Sequence, residues 1–102
     1  MIAIERMIQQ VRPDKWAELE EIDKKYNAVE GRLGFPPKKR YQCLTGSHEV
    51  NTLIVERQWA SLASMEATYE KAFADPEHQA LQKEITSSII KSAHMELYMP
   101  LP

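Results

Sequence analysis

The sequence predicts an α+β fold, a four-stranded antiparallel sheet with helices packed on one face. Three observations carry this. Segments with period-two hydrophobicity alternate with segments of helical period in the order β, α, β, β, α, β. The second helical segment is interrupted by Asp75-Pro76, a cap residue followed by a proline suited to the first helical position. Finally, 102 residues suffice for one hydrophobic core and not for two, so the elements belong to a single domain spanning 1–102.

In chain order, Ile2, Ile4 and Ile8 alternate with Ala3, Glu5, Met7 and Gln9, which predicts a first strand with Arg6 on the isoleucine face. Arg12-Pro13-Asp14 then opens a helix. Its apolar positions, Trp16, Leu19, Ile22, Tyr26 and Val29, step by three or four residues and form one buried stripe. Gly31, Gly34 and Pro36-Pro37 end that helix and form a loop. Residues 38–46 form a second strand, and Gly46-Ser47-His48-Glu49 is a short hairpin-type turn. From Val50 to Trp59, Leu53, Val55 and Trp59 share one face and Thr52, Ile54, Glu56 and Gln58 the other; Arg57 falls on the apolar side as an exception.

Ser61 is positioned to cap a helix carrying Leu62, Met65, Tyr69, Ala72 and Phe73 at helical spacing. After Asp75-Pro76 the helical pattern runs over residues 76–92, with Leu81, Ile85 and Ile89 on its apolar face and His78 in the middle of that face. Serines 87, 88 and 92 fall on its surface. The closing strand is His94 to Met99, with His94 placed to cap carbonyls of the preceding helix, and Pro100 and Pro102 forbid further pairing. Two right-handed β-α-β halves joined by a hairpin make the ferredoxin-like βαββαβ sandwich. The side of the sheet without helices is also furnished with large side chains. One assignment places Glu5, Met7, Gln42, Leu44, Ile54, Glu56, Gln58, Glu96 and Tyr98 there, a surface rich enough in apolar groups to need covering by a partner sheet.

Composition narrows the function classes. A net charge of −2, from 13 basic and 15 acidic residues, provides no pull toward nucleic acid or an anionic membrane. Lys38-Lys39-Arg40 is the single basic run, and it reads as a solvated strand or loop. The interleaved basic and aromatic strand pattern of base-stacking sheets is absent. Cys43 is the only cysteine, which excludes an internal disulfide, fits a reducing compartment, and leaves no Cys/His spacing for a structural zinc. The first residues carry charge by Glu5 and no long apolar run, so neither a signal peptide nor a membrane-spanning helix is expected and the location expected is cytoplasmic. With three glycines and no phosphate-binding loop, no nucleotide cofactor is expected, nor any other cofactor or metal.

Several groups have side chains capable of chemistry. Glu5 and Glu96 lie on strands expected to be neighbours and would form either a carboxylate pair or salt bridges to Arg6 or Arg57. His48 reads as a solvated turn residue. Cys43 has no evident base and the serines no nucleophile elbow, so nucleophilic catalysis lacks support. An apolar pocket is formed by Trp59, Met65, Tyr69, Phe73 and Ile85, with His78, Tyr98 and Glu56 as the polar, catalytic candidates. A histidine or carboxylate titrating near neutral pH there would act as a base toward a small apolar or aromatic compound. The same aromatics at these spacings also read as ordinary core, and His78 as a partly buried, hydrogen-bonded first-turn histidine.

The segments I-E-R-M-I-Q-Q-V-R-P-D-K-W (residues 4–16), W-A-S-L-A-S-M-E (59–66) and A-D-P-E-H-Q-A (74–80) resemble the NIPSNAP-type branch of the dimeric α/β-barrel superfamily, which includes antibiotic biosynthesis monooxygenase-like (ABM-like) domains. The resemblance spans nearly the whole chain. It implies a homodimer in which two sheets pair face to face, and a small-molecule cleft serving a cofactor-free monooxygenase or isomerase; a non-catalytic assembly protein is the alternative. NIPSNAP-like domains usually place glycine after the proline that opens the first helix and an aromatic residue at the position of His78. The haem-degrading relatives place a histidine farther along the last helix and an asparagine on the first strand; this chain matches neither.

Overall fold

The computed structural model describes residues 1–102. The elements are β1 (Ala3–Val11), α1 (Trp16–Leu33), β2 (Lys38–Gln42), β3 (Thr52–Trp59), α2 (Leu62–Ala74), α3 (Pro76–Glu84) and β4 (Ile90–Tyr98). The four strands form one antiparallel sheet in the order β2-β3-β1-β4. The α+β, ferredoxin-like architecture expected from the periodicity is the one observed.

Local chemistry explains the element ends. Ser61 caps α2 reciprocally with Ser64: its hydroxyl accepts from the Ser64 N–H at 3.0 Å, and its own N–H donates to Ser64 Oγ at 3.2 Å. Asp75 caps α3 by accepting from the His78 N–H at 2.9 Å, with Pro76 at the first helical position. Helix α1 runs through Gly31 and stops at Gly34, whose φ of 88° satisfies the final turn at no Cβ cost. Its start lies at Trp16 rather than at Pro13. The indole N–H donates to Asn51 Oδ1 at 3.0 Å and pins that end to the β2–β3 connection.

Three further boundaries differ from the sequence expectation. Helix α3 ends at Glu84, and residues 85–89 turn into β4, which begins at Ile90 rather than His94. The segment Ile85-Thr86-Ser87-Ser88-Ile89-Ile90 is rich in β-branched residues and in serines that compete for backbone groups, both poor helix formers. Ile89 and Ile90 join the main core with Val11, Leu19, Ile22 and Leu53. Ser87 and Ser88 therefore lie in a turn and Ser92 on a strand, while His94 is mid-strand and caps nothing. Strand β2 likewise stops at Gln42, so the connection to β3 is a longer loop than a hairpin turn, closed by Gln42 Nε2 donating to the Val50 carbonyl at 2.8 Å.

The register decides the faces. Glu5, Met7 and Gln9 share the helix side with Arg57, Val55 and Leu53, and Gln42 pairs with Leu53 on that same side. The open side carries Ile4, Arg6 and Ile8, Ile54, Glu56 and Gln58, and His94, Glu96 and Tyr98. Glu5, Met7 and Gln42 are thus on the opposite face from the one assigned above, and Leu44 lies in the loop. Glu5 and Glu96 stand back to back and form no carboxylate pair. No helix is long and apolar enough to cross a membrane.

Candidate functional site

Between the sheet and the helices lies a cavity of about 190 Å³. Its floor is β3 and its neighbours: Leu53, Val55 and Arg57, with Met7 from β1 and Lys38 from β2. Tyr26 and Glu30 of α1, Tyr69 of α2, and His78, Gln82 and Ile85 in and after α3 form the walls.

Four buried side-chain atoms lack a hydrogen-bond partner, Arg40 Nε, Thr52 Oγ1, Arg57 Nε and His78 Nδ1, and among them His78 is the one that can accept a proton. The Asp75 cap fixes its backbone, and the helix period then carries its ring inward until only 5% of the residue is exposed. Its ring meets Tyr26 edge-on at 5.6 Å and lies nearly parallel to Phe35 at 6.4 Å. Nδ1 is buried and has no hydrogen-bond partner. Burial holds the imidazole pKa below its ordinary value, Glu30 and Asp75 oppose that shift, and the Arg57 charge adds to it. The ring is therefore neutral at pH 7, with an orphaned polar atom of the kind that buried groups avoid.

The floor beside it is ionic. Arg57 Nη2 pairs with Glu30 Oε2 at 2.6 Å, and its guanidinium lies 5.0 Å over the Phe35 ring. Lys38 Nζ bridges Asp23 at 2.6 Å and Glu30 at 3.1 Å, and Arg40 grips Glu20 with two bonds of 2.6 and 2.9 Å. Three cations from the sheet thus face three carboxylates of α1, so these six charges offset one another. The Tyr26 phenol, pushed up to about 12 chiefly by burial, remains a hydroxyl donor. Burial and its hydrogen bond to Glu5 push Tyr69 up as well. No cluster of three or more His, Cys, Asp or Glu is arranged to hold a metal ion.

Of the residues singled out from sequence, His78, Tyr69 and Ile85 line this cavity. Trp59 and Met65 pack behind it with Ala3, touching it through Phe35 and Tyr69, and Phe73 stands beside Tyr69 at 5.8 Å with its ring half exposed. Tyr98 and Glu56 are on the open face of the sheet and do not reach the cavity. They belong to a different surface from His78. Tyr26, Glu30, Phe35 and Lys38 also line the cavity, and nothing in the sequence marks them as site residues; Arg57 on an otherwise apolar strand face is the one signal of an ionic floor.

No family model matches the chain, and no curated protein does. Solved structures do match. A NIPSNAP family protein from Agrobacterium tumefaciens superposes with a TM-score of 0.80 at 20% identity, over 98% of this chain and 86% of that one. The fold is NIPSNAP-like. A NIPSNAP-like domain protein from Burkholderia xenovorans, described as uncharacterized, gives a TM-score of 0.80 at 14% identity over 98% and 85% of the two chains. A second Agrobacterium tumefaciens NIPSNAP family protein, of unknown function, gives 0.78 at 13% over 97% and 87%. At these identities the NIPSNAP-like likeness establishes the ferredoxin-like architecture, and the chemistry has to be read from the cavity itself.

Proposed function

We propose that this NIPSNAP-like domain binds a small aromatic compound in the cavity between sheet and helices, with neutral His78 as the proton acceptor in a cofactor-free oxygenation or isomerisation. The observation that carries the reading is the buried, unpartnered Nδ1 of His78 beside an aromatic and ionic enclosure. A substrate with an acidic C–H or O–H is what such a base can use. The imidazolium formed by proton transfer is favoured by the Glu30 and Asp75 charges. In isomerisation the proton returns at a second carbon. In oxygenation of a substrate CH₂, dioxygen supplies both atoms: one becomes the carbonyl oxygen, and the other leaves as water with the two hydrogens removed.

The reading takes the protein as a homodimer through the open sheet face. The chain is a slab of 38 × 37 × 17 Å. It exposes 6555 Å² of surface, where a compact monomer of this mass exposes about 5,900 Å². Its open face includes exposed Tyr41 and Tyr98 beside half-buried Ile4 and Ile54. That same surface favours the second reading, a non-catalytic assembly protein whose act is dimerisation.

A two-dimensional NMR titration of the labelled protein with small aromatic acids, phenols and quinols separates the two. Shifts at Tyr26, Tyr69 and His78, lost in His78→Ala, followed by oxygen uptake or isomer formation on the hits, support the enzyme. A folded His78→Ala that binds and turns over unchanged removes it.

A further inference from the structure

On the open face, four residues at one level of the sheet alternate in sign. Lys39 on β2 stands opposite Glu56 on β3, Glu56 opposite Arg6 on β1, and Arg6 opposite Glu96 on β4. The row therefore reads plus, minus, plus, minus across the whole sheet, about 14 Å at the usual strand spacing. Arg6 Nε donates to Glu56 at 2.8 Å, and the Arg6 guanidinium lies 5.1 Å over the Tyr98 ring, whose hydroxyl donates to Glu96. The two central side chains stay available: Arg6 is 46% and Glu56 25% exposed. The adjacent level of the same face reads Tyr41, Ile54, Ile8, His94, apolar at its centre.

Such a row is its own complement when read backwards. We infer that the open face receives a second copy of this chain about a two-fold axis parallel to the strands, and that Lys39, Glu56, Arg6 and Glu96 select that orientation. The inference rests on the paired-sheet reading and adds the residues that determine it. Rotation about this axis reverses the order of strands while keeping each level opposite itself. Lys39 then meets Glu96 of the second copy, and Glu56 meets its Arg6. A perpendicular in-plane axis through this level places each charge over its own kind, four repulsions in a desolvated layer. The first arrangement also keeps the strands of both sheets nearly aligned, the usual geometry of face-to-face packing. Because Arg6 and Glu56 already pair within each sheet, the charges enter the interface neutralised, and their role is to specify orientation.

The test is self-sorting. Reversal of the full row, Lys39→Glu, Glu56→Lys, Arg6→Glu and Glu96→Lys together, preserves the alternation within the sheet and the match between identical copies, but turns every contact with wild type into a like-charge pair. Wild type and the reversed chain, each a dimer by light scattering, are mixed and followed by native mass spectrometry. Mixed dimers should fall about tenfold or more below the half share of random pairing. Should the fourfold variant not fold, Arg6→Glu with Glu56→Arg keeps the central pair, and applies the same rejection at two positions. Random mixing overturns the role of the row. If wild type itself is monomeric, the paired-sheet reading falls and the inference with it.

Discussion

Glu5, 1% exposed in the middle of the structure, accepts a 2.9 Å hydrogen bond from the indole N–H of Trp59 on the neighbouring strand. Tyr69 of α2 donates its hydroxyl to the other carboxylate oxygen. One carboxylate therefore ties β1, β3 and α2 together beneath the aromatic cluster of Phe35, Trp59 and Tyr69. Glu5→Leu leaves two buried donors unpaired, and should cost about 3 kcal/mol in urea unfolding, with Tyr69→Phe costing about half as much.

His78 makes stability depend on pH in a defined direction. Its pKa in the folded chain is held below the unfolded value of about 6.5, first by burial and then by Arg57, against the pull of Glu30 and Asp75. As pH falls from 7.5 toward 5, the unfolded chain takes up a proton there before the folded chain does, so stability is lost as pH drops. His78→Phe should flatten that part of the urea-midpoint profile, and a parallel profile in wild type and variant would refute the assignment.

The Arg57–Glu30 pair is buried enough for its removal to be felt. Arg57→Met leaves Glu30 with Lys38 as its remaining partner and one buried carboxylate oxygen unpaired, and should destabilise by about 3 kcal/mol, whereas Arg57→Met with Glu30→Met should recover most of the loss. A double-mutant cycle by denaturant unfolding reads the coupling.

Capping of α2 is local and should be additive with the rest. Ser61→Ala removes the acceptor for the Ser64 N–H and should cost about 1 kcal/mol, while Ser61→Asp should retain the cap. Thermal melts of the two variants distinguish loss of the cap from loss of packing.

Element order was readable because its signals are local. The two-residue period of Leu53, Val55 and Trp59, the three-to-four-residue period from Trp16 to Val29, and the caps Ser61 and Asp75 each involve neighbours within a few residues. Capping and the helix period sufficed to turn His78 inward. The end of α3 was less readable, because Leu81, Ile85 and Ile89 keep a helical spacing past the helix. Ile90 instead pairs with Val11, on a strand laid down at the start of the chain.

The sequence by itself determined the strands and helices, their order, and which residues share each strand face. Only the tertiary structure decided which face of β1 met the helices, and so whether Glu5 or Ile4 and Ile8 turned toward them. A strand's two faces are distinguished solely by what packs on them. The groups that make burial of Glu5 tolerable, the Trp59 N–H and the Tyr69 hydroxyl, lie 54 and 64 residues away along the chain. The ionic floor of the cavity has the same origin: Arg57 is tolerable on an apolar face because α1, crossing above it, brings Glu30 to within 2.6 Å.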